Sequence, residues 1–172
     1  MMVPRIFILI PLIVIVSCNN DNTTGTTSSR PGKQDMEDMN RYFVQKDRER
    51  IVSYIERKGL KMNETPSGLW YQVINEGSGN LLKEGSRLNM EYECSLLDGT
   101  VCYSSSVSGP RQLVLGRTGI EPGLYEGLML LKPGSEAIFI MPPYMAYGLP
   151  GDGKKIPPRS VIVYHLRLLN NE

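Results

Sequence analysis

The chain of 172 residues is 41% hydrophobic and 22% charged, which excludes a wholly disordered protein and fits one domain with extensions. Nineteen basic against 18 acidic residues give a net charge of +1, which argues against binding to nucleic acid or another polyanion. One histidine and three cysteines exclude an ordinary zinc site, and no metal or cofactor is expected.

Arg5 precedes an apolar run, Ile6 to Val16, which is broken by Pro11 and followed by Ser17-Cys18. Spanning a bilayer takes about twenty apolar residues in a helix, so a run roughly half that long predicts a secretory signal over residues 1–17. A small residue before Cys18 resembles a bacterial lipobox, which implies cleavage there and lipid modification of Cys18; the alternative is an ordinary signal with an incidental cysteine. An acylated Cys18 would hold the mature chain to a membrane of the cell envelope, with the folded part facing the periplasm or the exterior. Residues 18–34, rich in Asn, Thr, Ser and Gly, predict a flexible tether.

From Asp35 to Lys58 the sequence lacks Gly and Pro and spaces Met36, Met39, Phe43, Ile51, Tyr54 and Ile55 close to a helical period. This predicts a helix within residues 35–60, stopped at Gly59. Its apolar stripe has two uses open to it: packing back on its own domain, or contact with a second copy or an envelope protein complex.

Leu69, Tyr71 and Val73 alternate with Trp70, Gln72 and Ile74 in a predicted strand that ends at Gly77-Ser78-Gly79. Leu88, Met90, Tyr92, Cys94 and Leu96 then share one face of a regular strand. Asp98-Gly99 predicts a two-residue hairpin turn leading into Val101-Cys102-Tyr103 and a loop over residues 104–108. That turn puts Cys94 and Cys102 on opposite faces, so two small buried thiols are expected rather than a disulfide.

Residues 113–116 read as a short strand, and Pro122 to Leu131 as a helix with Leu124, Leu128 and Leu131 on one side. In the next strand Ala137, Phe139 and Met141 point inward, leaving Ile138 and Ile140 as an outer patch for the N-terminal helix or a partner to cover. In the last strand Ile162, Tyr164, Leu166 and Leu168 face inward, which turns His165 outward and away from catalysis. The order of elements predicts an α+β domain over residues 65–172, an antiparallel sheet wrapped around one short helix.

Two stretches carry a family resemblance. TPSGLWYQVI, residues 65–74, resembles the entry strand of bacterial lipoprotein members of the FK506-binding protein family of peptidyl-prolyl isomerases. Ala146-Tyr147-Gly148, eight residues, then Pro157-Pro158 and a final strand resembles that family's flap over a proline pocket. A lipoprotein with a helix before the domain also resembles the gliding-motility-associated members of Bacteroidetes.

The resemblance implies that Tyr147 and the Ile156 N–H hold a substrate carbonyl. Tyr92, Ile120, Leu124 and Tyr164 would enclose the proline, and the backbone N–H of Glu121 would also reach the ligand. The family's Phe-Asp pair stands here as Cys102-Tyr103, which puts Tyr103 among the expected substrate-binding residues. Its next aromatic stands as Arg111, and its tryptophan floor as Leu124. Prolyl isomerisation suits such a residue set, because a barrier of about 18–20 kcal/mol falls when the peptide is twisted in a dry apolar hollow, without a proton donor or a metal. The expected function is thus isomerisation of proline-containing exported polypeptides. The rival is a catalytically weak chaperone, or a structural component of a gliding or secretion machine in the envelope.

Overall fold

The computed structural model describes residues 32–117 and 119–169; the expected signal, Cys18 and the tether up to Pro31 lie outside the described residues. The stretch without Gly or Pro forms one helix, α1 (Lys33–Lys58), which begins two residues before the expected Asp35. Asp35 accepts the Gly32 N–H at 2.9 Å at its start. At its end Gly59 takes a left-handed conformation, φ +63°, and the N–H of Leu60 donates to Ile55 O at 3.1 Å, the wrap of a Schellman motif.

Seven strands follow: β1 (Asn63–Glu64), β2 (Trp70–Asn75), β3 (Arg87–Leu96), β4 (Val101–Ser104), β5 (Arg111–Val114), β6 (Glu136–Met141) and β7 (Ile162–Leu168). They pair antiparallel in the order β1-β2-β6-β7-β3-β4, and β5 pairs with the other half of β3. Between β5 and β6 lies the helix α3 (Pro122–Leu128), with Pro122 in its first turn. The expected loop over residues 104–108 is instead one helical turn, α2 (Ser105–Ser108), because the Ser104 side chain accepts the Ser106 N–H and caps it.

The concave face of the sheet closes over α3. Leu124 and Leu128 meet Phe139, Met141, Tyr164 and Leu166 in the main core. The approach is close enough that a Cβ on Gly127 would lie 2.5 Å from the Phe139 ring, so the α3 face against the sheet has to be glycine there.

The outer face is covered as well. Ile51 of α1, 1% exposed, packs with Ile140, Val161 and Val163, and Tyr54, Ile55, Trp70 and Ile138 surround them. The outward patch at Ile138 and Ile140 is therefore met by the second half of α1, in the same chain. The first half of α1 leaves Met36, Met39, Tyr42 and Val44 exposed.

The β3–β4 hairpin departs from expectation. Leu96 N–H donates to Thr100 O, so the turn holds three residues, with Gly99 at φ +93°. The register shifts from Cys94 opposite Tyr103 to Ser95 opposite Val101, a β-bulge that turns Cys102 inward beside Cys94. The opposite-face placement is thereby corrected; both thiols are buried and free.

Candidate functional site

The site forms where α3 begins, where β7 crosses the sheet, and where a short 3-10 turn at Pro143–Met145 releases the chain into the flap. Tyr164 stands in the middle of β7 between β6 and β3, 1% exposed, because its alternation places it on the core face of the most buried strand. The Tyr92 ring of β3 lies 5.8 Å away at 31°. Leu124 of α3 is fully buried, and Ile120, Tyr103 and Tyr147 pack against the same core, as does the buried Ile156. Thus seven of the residues expected at the site converge, and Glu121, the eighth, lies beside them.

What fills the space differs from an apolar hollow. Glu121, extended at φ −60° and ψ 136° just before α3, is 7% exposed and sends its carboxylate into the site. Its Oε1 accepts the hydroxyls of Tyr147 and, at 3.1 Å, of Tyr164. Its Oε2 lies 3.3 Å from the Arg111 guanidinium, which also donates to Gly119 O at 3.2 Å. The apolar pocket expected there, with its tyrosines, thus also holds an ion pair. Among these groups every buried hydrogen-bonding atom has a partner, which is what lets a carboxylate sit there.

Burial, then the bond to Glu121, raises the Tyr147 hydroxyl pKa well above the ordinary phenol value. Burial, then the Glu121 charge, does the same for Tyr164. Both phenols are therefore donors at any pH at which the chain is folded near neutrality.

The flap has its own internal brace. Asp152 Oδ1 accepts the N–H groups of Lys154 and Ile156, each at 2.8 Å, and its Oδ2 accepts the Tyr103 hydroxyl. The Ile156 N–H, expected to meet a substrate carbonyl, is thus committed to Asp152. The bond to Asp152 pushes the Tyr103 pKa up to about 12, with burial adding to it. Lys155 lies over the Tyr103 ring at 5.4 Å, and the Cys102 thiol points at Lys155 O at 3.5 Å. Tyr103 therefore belongs to the support of the flap. His165 is exposed and pairs with Glu136 at 2.8 Å, outside the site.

Two contributors were missed from sequence: the Glu121 side chain and Asp152. Asp152-Gly153-Lys154 is the pattern of an Asx turn, in which an aspartate accepts the N–H two residues on, so Asp152 had a readable signal. Glu121 had none, because its partners come from three other elements.

A family model described as FKBP-type peptidyl-prolyl cis-trans isomerase matches residues 79–169. The FKBP-type 22 kDa peptidyl-prolyl cis-trans isomerase of Escherichia coli is 38% identical over 120 residues, covering 69% of this chain and 58% of that protein. The FKBP-type isomerase FkpA of Escherichia coli is 33% identical over 128 residues, covering 73% of this chain and 45% of that protein. The chain spans about half the length of the curated relatives it matches. Among solved structures, FkpA from Escherichia coli superposes with a TM-score of 0.62 at 26% identity, over 83% of this chain and 74% of that one. AtFKBP13 does so with a TM-score of 0.61 at 25% identity, over 65% of this chain and 99% of that one.

Proposed function

Because the chain belongs to the FKBP-type peptidyl-prolyl cis-trans isomerase family, we propose that it accelerates rotation about Xaa-Pro bonds in polypeptides. The observation that carries this is the gathering of Tyr92, Ile120, Leu124, Tyr147 and Tyr164 on one core, with the Tyr147 and Tyr164 hydroxyls meeting at Glu121. Rotation needs the C–N bond to lose its double-bond character, a barrier of about 18–20 kcal/mol. A buried site favours the twisted form, whose carbonyl is less polar and needs less water.

Tyr147 is the donor for that carbonyl, and burial keeps it protonated. For the substrate to reach it, the Glu121 carboxylate has to swing off the hydroxyl it accepts in the free protein. No bond to the substrate is made or broken.

The test is an exchange measurement on an Xaa-Pro peptide, whose uncatalysed isomerisation takes tens to hundreds of seconds. Wild type should speed exchange, and Tyr147→Phe should lose about tenfold or more, the loss expected when a contact that orients the substrate is removed. Exchange no faster with wild type than without it would refute the reading. The ion pair of Glu121 and Arg111 in the site favours a second reading in that event: a domain that holds polypeptides without turning them over, as a chaperone or a part of an envelope machine such as one for gliding.

The finer reading places the protein outside the cytoplasm, held to a membrane through a lipid on Cys18, and rests on the Ser17-Cys18 junction after a short apolar run. Acyl labelling of wild type and Cys18→Ser tests it; equal labelling of the two counts against an anchor at that residue. The exposed Met36, Met39 and Tyr42 support contact of α1 with another protein or a second copy.

A further inference from the structure

The flap is closed at its base by Arg159, whose N–H donates to Gly148 O at 3.2 Å. Arg159 is also the one non-glycine residue with positive φ among the described residues, at +55°. An arginine in that conformation is held there by its surroundings rather than by its own preference. The surroundings are on α1. The guanidinium carbon lies 3.7 Å from the centre of the Phe43 ring, and Nη2 lies 2.9 Å from Asp47 Oδ2. Asp47 is 4% exposed, although it lies in the first two-thirds of a helix that is otherwise largely open to solvent there.

The contact lies between two clefts. On one side is a cleft of about 520 Å³ bordered by Leu97 and Ser160, and on the other a cleft of about 270 Å³ bordered by Tyr144 and Leu149. Between the two, Phe43, Asp47 and Arg159 line both clefts and bridge α1 to the flap. Arg50 approaches Asp47 from the same helix at 3.6 Å, so the carboxylate keeps one cation of its own and spends its shorter contact on the flap. A carboxylate buried between two arginines is a costly thing to place on an outer helix for packing alone.

We propose that Phe43 and Asp47 are positioning residues for the reaction, acting through Arg159 to set where the flap, and with it Tyr147 and Ile156, stands over the proline site. A displacement of α1 is then passed to the flap through one guanidinium. The kinetic part of this inference rests on the isomerase reading; the structural part does not.

The test uses the full chain, wild type beside Asp47→Asn, Phe43→Leu and Arg159→Gly, the last of which accepts the backbone conformation without strain. Hydrogen exchange is read at the Lys154 and Ile156 amides, and KM and kcat on a proline peptide. Expected is exchange at both flap amides faster by about tenfold in Asp47→Asn and Arg159→Gly, less in Phe43→Leu, and a KM raised by a similar factor, as misplacement of a positioning element produces. Amides in the middle of β7 should exchange as in wild type. Flap exchange at the wild-type rate in both Arg159→Gly and Phe43→Leu overturns the proposal, including in the case that Asp47→Asn does not fold. If wild type shows no isomerase activity yet flap exchange responds as described, the function falls and the positioning stands.

Discussion

Glu121 accepts the hydroxyl of Tyr147, so the residue that opens α3 and the residue that opens the flap are joined through the centre of the site. The same carboxylate holds Tyr164 and faces Arg111, and a proline entering the site has to replace it in at least the first of these contacts.

Replacing both members of the ion pair should therefore help binding more than replacing one. Truncating one partner of a buried pair costs about 3–5 kcal/mol, whereas exchanging both for apolar residues is often neutral or stabilising. Because 27% of the Arg111 side chain is exposed, water screens its loss of a partner and the lower end of that range, about 3 kcal/mol, is expected for Glu121→Ile. The double variant Arg111→Phe with Glu121→Ile should be more stable in urea than Glu121→Ile alone, though short of wild type because the buried Tyr164 hydroxyl loses its acceptor, and should bind a proline peptide more tightly by calorimetry. Weaker binding by the double variant would show that the carboxylate assists the ligand instead of competing with it.

Ile51 ties α1 to the sheet, and its loss should be felt by the whole domain. Ile51→Ala removes a fully buried side chain between Ile140, Val161 and Val163, at a cost of about 2–5 kcal/mol. Met39→Ala, on the exposed first half of the helix, should change urea stability by less than about 0.5 kcal/mol. Equal effects of the two would mean that the outer face is not sealed by α1 in solution.

Alkali should separate the tyrosines. Tyr147 and Tyr164 hold their protons more tightly folded than unfolded, through burial first and Glu121 second. A pKa raised by folding adds stability that is fully present below the unfolded value of about 10 and is lost as the pH climbs toward the folded values. Tyrosinate absorbance should accordingly show these two among the last of the nine tyrosines to ionise, in step with loss of structure. Tyr147→Phe should remove one late-titrating group. All nine ionising together near the ordinary value in the folded protein would contradict the burial described for this site.

Much of this architecture could be read from side-chain period alone. Strands β3 and β7 alternate so regularly that the inward set at Leu88, Met90 and Cys94, and again at Ile162, Tyr164 and Leu166, follows from the two-residue repeat. The helix α1 followed from its lack of Gly and Pro and from Gly59. Cys102 was misplaced because a face depends on register, and register here turns on whether the hairpin holds two residues or three; Gly99 in the left-handed region decided for three.

The site was legible as a set of positions but not as a set of partnerships. Tyr147, Tyr164, Tyr92 and Leu124 were identifiable, yet the commitment of the Ile156 N–H to Asp152 depends on how the flap folds on itself. Likewise the meeting of Glu121 with Arg111 joins residues ten apart whose side chains face one another only once β5 and α3 are in place.

The helix α1 is held to the domain by a greasy seam around Ile51, by Arg48 reaching Glu64 and the Trp70 ring, and by a charged clasp from Asp47 to the flap. Tension applied at the Lys33 end would reach the clasp first, since it lies one turn nearer that end than the seam. The order of yielding is thus built into the helix: the roof of the site would slacken under a pull that leaves the sheet intact.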